Sequence, residues 1–249
     1  MSEILINYDI KDNYPSILID GCKELGISLS DRQTSQLVQF YRMMYDRNQV
    51  MNLTAVTEWD EVQTKHFLDS LLLIKVLDLS KRMSVLDLGT GAGFPGIPLK
   101  IVFPHLDFVL VDSLNKRVGF LNEVITALGL TNIQALHGRA EDLGKRKEYR
   151  ESFDLVVSRA VANLSSLSEY CIPFVRKDGF FISYKAAQIS EEVRRAEAAI
   201  RILGGKVSEV MTVPLPGTDM ERSFVVIRKE NRTPSRYPRK AGTPSKEPL

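Results

Sequence analysis

Seven consecutive residues, Asp87-Leu88-Gly89-Thr90-Gly91-Ala92-Gly93, set one carboxylate ahead of three alternating glycines, directly after the apolar pair Val85-Leu86. Glycine lets the chain turn tightly and lets a ligand lie against the main chain with no Cβ in the way. A carboxylate two residues before the first glycine can take a hydrogen bond or an ion pair from a ligand amine. The pattern predicts a cradle for the amino-acid end of a small molecule, with Phe94-Pro95-Gly96 opening the helix that follows. In an open α/β sheet, ligands bind beyond the carboxyl ends of the strands, near the point where strand order reverses. The ends of the other apolar runs are therefore the next places to look. Asp112 closes Val109-Leu110-Val111-Asp112, where a carboxylate can take both ribose hydroxyls or merely cap a helix. Gly138-Arg139-Ala140-Glu141-Asp142 follows the third run, where Ala140 and Glu141 can contact adenine or form a charged surface turn. The fourth run ends in Ser158-Arg159-Ala160, at the position that would face a transferred group.

A ligand with an amino-acid end, a ribose and an adenine is S-adenosylmethionine. The rival is a dinucleotide, because Gly91, Gly93 and Gly96 also satisfy G-x-G-x-x-G with an acid about 20 residues on. Three features favour the first: the acid at Asp87, Pro95 and Pro98 at a helix start that pyrophosphate would need, and a C-terminal hairpin in place of a substrate domain. A bare structural turn is the third reading. The fourth run lacks the Asn/Asp-Pro-Pro often used on exocyclic amines, and no nucleophilic cysteine for C5 of a pyrimidine is in evidence. A ring nitrogen with a free lone pair, such as guanine N7, needs no deprotonation, so alignment and electrostatics would supply the rate. Arg159 could present paired donors to guanine O6 or to a phosphate, or serve only as a structural ion-pair partner. His66 lies beside apolar neighbours, as a core histidine or facing the cleft. His105 and His137 carry no expected role.

The elements that must position these residues alternate between two rhythms. Ser30-Asp31-Arg32-Gln33 is a capping box, followed at helical spacing by Leu37, Phe40, Tyr41 and Met44. A turn at Asn52-Leu53-Thr54 leads to a second amphipathic stretch with Val62, His66, Phe67, Leu71 and Leu72, so residues 1–80 are expected to form an N-terminal helical cap. Short β-rich runs then occur at 84–88, 108–111, 133–137, 153–157, 179–184, 206–213 and 223–227, with helices expected at 96–102 and 115–128, the latter closed by Gly129. This alternation predicts an α/β fold: a doubly wound, mostly parallel seven-stranded sheet over residues 81–230. The last two runs, separated only by 214–219, should pair as a hairpin and put one antiparallel strand at the sheet's end.

The 249 residues, 44% of them apolar, suffice for a substantial core. Cys22 and Cys171 follow no metal spacing, no metal site is expected, and both cysteines read as buried apolar residues of a reducing compartment. The first 14 residues lack a basic start with an apolar run, and no stretch reaches the ~20 apolar residues of a membrane span. The chain is thus expected to be cytoplasmic, without membrane contact and monomeric. Residues 231–249 hold five Lys or Arg against one acid, Glu247, and four prolines should keep this tail out of helix and sheet, either as a phosphate-contacting strand or as a solvated terminus.

These motifs taken together resemble the bacterial glucose-inhibited division protein B family of 16S ribosomal RNA guanine-N7 methyltransferases. The resemblance runs through Met51-Asn52-Leu53-Thr54-Ala55-Val56-Thr57, Lys65-His66-Phe67-Leu68-Asp69-Ser70-Leu71, residues 87–100, Asp112-Ser113-Leu114-Asn115-Lys116-Arg117, Ser158-Arg159-Ala160, Tyr184-Lys185 and residues 237–244. Ala186 departs from it, standing where the family usually has glycine. The resemblance implies a Rossmann-like class I methyltransferase fold and cofactor contacts at Gly89, Phe94, Ala140, Glu141 and Arg159, to which the strand-end reading adds Asp87, Gly91, Gly93 and Asp112. Arg159 and Lys185 are expected as catalytic residues that orient the guanine or its phosphate. Asn52, His66, Lys100, Arg239 and Lys240 are implied contacts to 16S ribosomal RNA or the small subunit, with the target guanine in a hairpin loop near the decoding region. A small-molecule methyltransferase and a non-catalytic, cofactor-sensing RNA-binding protein stay as alternatives, separated by whether activity requires RNA and whether binding leads to turnover.

Overall fold

Seven strands form one sheet in the order β3-β2-β1-β4-β5-β7-β6. They are β1 (Ser84–Leu88), β2 (Asp107–Asp112), β3 (Ile133–His137), β4 (Phe153–Arg159), β5 (Val175–Ala186), β6 (Gly205–Pro214) and β7 (Glu221–Lys229). The structure is a computed structural model that describes residues 14–159, 162–186 and 188–249. The residues read for a leader, up to residue 13, and Ala160 of the Ser158-Arg159-Ala160 motif lie outside them. Strand pairs among β1 to β5 are parallel, and β7 is antiparallel to both β5 and β6. The hairpin forms as expected, but its antiparallel strand is not at the sheet's end: β7 inserts between β5 and β6. That placement gives the apolar run Phe224-Val225-Val226-Ile227 a strand on each side and cover on both faces, whereas β6, with polar Lys206, Ser208 and Glu209, tolerates the edge.

Side chains alternate across the sheet with period two. Val85, Leu110, Leu155, Val157 and Phe224 enter one core, and Leu86, Leu88, Val111, Val156 and Val225 the other. The first core is covered by α1 (Ser16–Leu25), α2 (Asp31–Met51), α5 (Gly96–Val102) and α6 (Asn115–Ala127), together with the winding segment from Trp59 to Lys75. That segment begins as α3 (Trp59–Val62), widens to a π-helix at Gln63–Leu68, returns as α4 (Asp69–Leu71) and tightens to a 3-10 turn at Leu72–Lys75. The second core lies under α7 (Ala140–Leu143), α8 (Leu164–Cys171) and α9 (Ser190–Ile202). Among the described residues no helix is long and apolar enough to cross a membrane. The capping box forms and also docks the helix: while Gln33 accepts from the Ser30 amide at 2.9 Å, its Nε2 donates to the Ile101 and Val102 carbonyls, each at 3.0 Å, at the end of α5. Both cysteines are buried, and burial pushes each thiol well up from its ordinary range.

The tail does not extend into solvent. Arg150 donates to the carbonyls of Thr233, Pro234 and Tyr237, and Tyr237 and Pro244 are buried. Prolines do not exclude helix either: α10 (Thr243–Lys246) carries Pro244 in its first turn, where a missing N–H costs no intrahelical bond.

Candidate active site

A cleft of about 610 Å³ opens where the strand order reverses, between the ends of β1 and β4. Its floor is Gly89, Thr90, Gly91 and Ala92. Asp112, Leu114 and Arg117 form one wall, Gly138 to Glu141 and Tyr170 the far end, and Thr54, His66, Phe94 and Arg159 the mouth. The floor turns upward because Gly89 and Gly91 adopt φ of 74° and 62°, and a Cβ on Gly91 would meet nothing within 4 Å, so that glycine faces open cleft. Gly93 has another purpose. Its φ is 105° and a Cβ there would meet Ile97 at 2.7 Å, so it serves close packing of loop on helix and does not line the cleft.

Asp87 also departs from expectation. Sharing the face of Val85, its carboxylate points under the loop, is fully buried and does not line the cleft. Oδ2 accepts from the Thr90 hydroxyl at 2.7 Å and from the Gly96 amide at 2.8 Å, which ties both ends of the loop together. Oδ1 has no partner among the described residues. Burial pushes this carboxyl up to about 6, against the opposing hydrogen bonds and the nearby Arg159. Asp112 does reach the cleft. Its oxygens accept from the Gly91 amide at 3.0 Å and the Leu114 amide at 2.8 Å, so one carboxylate spans the glycine loop and the entry to α6.

The mouth is organised around Arg159, at the end of β4. Its Nη1 donates to Asp69 at 2.7 Å and to the Lys65 carbonyl at 3.2 Å, its Nη2 lies 3.2 Å from His66 Nδ1, and its guanidinium stands 5.1 Å from the centre of the Phe94 ring. The π-helical turn brings Lys65, His66 and Asp69 onto the same guanidinium. A guanidinium only donates, so Nδ1 must be the acceptor and Nε2 carries the proton given to Thr54 Oγ1 at 2.9 Å. Burial and then the Arg159 charge push His66 down to about 3, so the ring is neutral. It stacks on Phe94 at 4.3 Å. Asp69, fully buried, also takes the Nε of Arg222 from the start of β7. Two arginines thus share one carboxylate, which leaves a net positive mouth.

Gly89, Gly91, Phe94, Asp112, Ala140, Glu141, Arg159 and His66 therefore meet in one cleft. Asn52 ends α2 with φ 48° and is exposed beside the cleft residues Leu53 and Thr54. Besides Asp87 and Gly93, three expected cation contacts are engaged elsewhere. Lys100 is 1% exposed, with its ammonium on the Pro104 and Leu106 carbonyls, and cannot reach RNA. Lys185 holds Glu192 and the Ala162 carbonyl, each at 2.7 Å, and bridges the strand to the start of α8 and to α9 without lining the cleft. Arg239 is clamped on fully buried Glu169 through Nε and Nη2; of the two tail cations expected on RNA, Lys240 is the exposed one. Residues not foreseen are Asp69 as the anchor of Arg159, with Arg222, Thr54 and Tyr170. No local pattern signals them, since Asp69 lies 90 residues from Arg159 and 153 from Arg222.

Sheet order, glycine-loop cleft and hairpin together define a Rossmann-like class I methyltransferase. Among solved structures, the YcgJ protein from Bacillus subtilis aligns with TM-score 0.51 at 14% identity, over 67% of this chain and all of its own. The structure of MtNAS in complex with MTA and tNA aligns with TM-score 0.53 at 14% identity, over 78% of this chain and 74% of its own. Those likenesses concern the fold alone. The model of the GidB family, rRNA small subunit methyltransferase G, matches residues 33–222. Ribosomal RNA small subunit methyltransferase G of Lachnoclostridium phytofermentans is 52% identical over 240 residues, 96% of this chain and 98% of its own. The protein of that name from Oceanobacillus iheyensis is 48% identical over 94% of this chain and 99% of its own. The chain belongs to the GidB family of rRNA small subunit methyltransferases.

Proposed function

We propose that this chain transfers a methyl group from S-adenosylmethionine to N7 of a guanine in 16S ribosomal RNA. The observation that carries the chemistry is the mouth of the cleft, where Arg159 is fixed on three acceptors and His66 is held neutral. The cofactor's chemical contribution is an activated methyl on a sulfonium. Gly89 and Gly91 would pass its amino-acid end along bare backbone, Asp112 would take the ribose hydroxyls, and Ala140 with Glu141 would flank the adenine. The open space over Gly91 and the carboxylate of Asp112 at the next strand end fit such a molecule.

Neither mouth residue is placed as a general base. The lone pair on His66 Nδ1 faces the Arg159 guanidinium, and the Asp69 carboxylate is spent on two arginines. A base-free mouth suits guanine N7, whose lone pair is available at neutral pH, and does not suit an exocyclic amine. Arg159 orients the guanine edge and supplies positive charge. Lys240 and Asn52, both exposed, extend toward the RNA.

The test is single-turnover transfer of labelled methyl to 16S RNA and to small subunits, mapped by borohydride–aniline scission, which cuts at N7-methylguanine. Label on one guanine N7 is expected. Label on an exocyclic amine or ring carbon, or turnover on a small molecule with RNA untouched, overturns the proposal.

A further inference from the structure

Tail residues 233–249 end beside the cleft, and many of the bonds that hold them go to their backbone. Arg150 takes three of their carbonyls, Glu151 accepts the Thr233 amide at 2.8 Å, and buried Lys229 holds the Thr233 hydroxyl at 2.7 Å. Pro238 sits against Gly144, just past α7, where an added Cβ would come within 3.1 Å of its ring. Beyond it, Glu169 accepts the Arg239 amide at 2.7 Å as well as the clamped guanidinium, and Ser166 donates to the Pro244 carbonyl at 2.6 Å. The chain then reaches two cleft-lining residues. The Gly242 amide donates to Glu141 Oε1 at 2.8 Å, and Ser245, whose hydroxyl donates to the Gly242 carbonyl at 3.0 Å, lies beside Tyr170. Glu141 is 6% exposed, and its Oε2 has no hydrogen-bond partner among the described residues.

We infer that the tail is a positioning element for the nucleoside end of the cleft: Arg239, through Glu169, seats Gly242 so that its amide holds one oxygen of Glu141 and leaves the other for the ligand. This rests on the reading of the cleft as the S-adenosylmethionine site. A carboxylate fixed by one bond loses less freedom when it takes a second partner, so ordering it in advance favours binding. Arg239, expected on an RNA track, acts instead on the cofactor end. Lys240, which makes no such contact, does not.

The experiment measures S-adenosylhomocysteine affinity by calorimetry for the full chain, the chain truncated after residue 241, Glu141→Ala, and both changes together. Truncation keeps the Arg239–Glu169 clamp and removes the Gly242 amide. Each single change is expected to weaken binding by about tenfold, and the pair by no more than either alone, because both remove the same arrangement. 5′-Methylthioadenosine, which lacks the amino-acid end, should show the same loss. A merely structural tail would give losses that multiply, and that result overturns the proposal, as does unchanged affinity.

Linkage requires the converse effect in the intact chain, which guards against a truncated chain that does not fold. Saturating S-adenosylhomocysteine should slow amide hydrogen exchange in residues 242–249 by about the same factor; unaltered exchange overturns the inference. An intact chain with no affinity for S-adenosylhomocysteine overturns the cofactor reading itself. Normal affinity with uncoupled changes overturns only the role of the tail.

Discussion

The two ends of the cleft are built by different means. At the glycine loop the parts lie close in sequence, no pair more than 21 residues apart: Asp87 reaches Thr90 and Gly96, and Asp112 reaches Gly91 and Leu114. Most of the work there is done by backbone amides and positive-φ glycines, with the carboxylates tucked beneath or beside the loop. At the mouth the parts are charged side chains from three distant segments, with Asp69 as the common anion for Arg159 and Arg222. A local backbone cradle has little to lose from any one side chain, whereas a buried charge cluster fails when its centre is removed.

Loss of that centre should have the largest effect. Asp69→Ala leaves two arginines packed around an empty site and should destabilise the chain by about 3–5 kcal/mol in urea unfolding. A loss under about 1 kcal/mol would show that the mouth is no more dependent on one group than the loop is.

The loop end should respond to pH rather than to deletion. Asp87→Asn keeps an acceptor for Thr90 and Gly96 and removes the ionisation. Because the folded carboxyl is held up to about 6 from 3.8, the folded state binds the extra proton in that window. Its contribution to stability is complete below the lower value and is lost as pH rises through the upper one. Between pH 4 and 7 the parent should lose about 2 kcal/mol relative to the Asn variant. Parallel stability curves for the two would refute this.

Smaller effects sharpen the contrast. His66→Phe keeps a ring on Phe94 but removes the acceptor for Arg159, so the single-turnover rate should fall by several-fold, on the order of 1 kcal/mol, with cofactor affinity unchanged. An unchanged rate would mean that Asp69 and the Lys65 carbonyl suffice. The least effect separates the tail's neighbouring cations: Lys240→Ala should remove about 0.7 from the slope of log K for RNA against log salt, and Arg239→Gln should leave that slope alone. Filter binding over a salt series decides it, and equal slopes for the two variants would return Arg239 to the RNA face.

Much of this protein was legible in its sequence because the signals were local. Short β-rich runs marked all seven strands, the capping box marked α2, and each strand end offered its chemistry within a few residues. The glycine cradle, Asp112 and Ala140-Glu141 needed no more than that, since a parallel sheet brings strand ends to one edge by construction.

Tertiary structure alone decided the direction of individual side chains and the long-range pairings of charge. Asp87 and Gly93 belong to the right loop but turn to the core, because the pleat and the packing of Ile97 and Gly96 dictate which way each points. Lys100, Lys185 and Arg239 look in sequence like cations awaiting phosphate. Their actual partners are backbone carbonyls, Glu192 and buried Glu169, groups brought near only by the folded chain. A positive charge near an apolar surface must find an acceptor or stay in water, and sequence does not reveal which acceptor the fold will bring within reach.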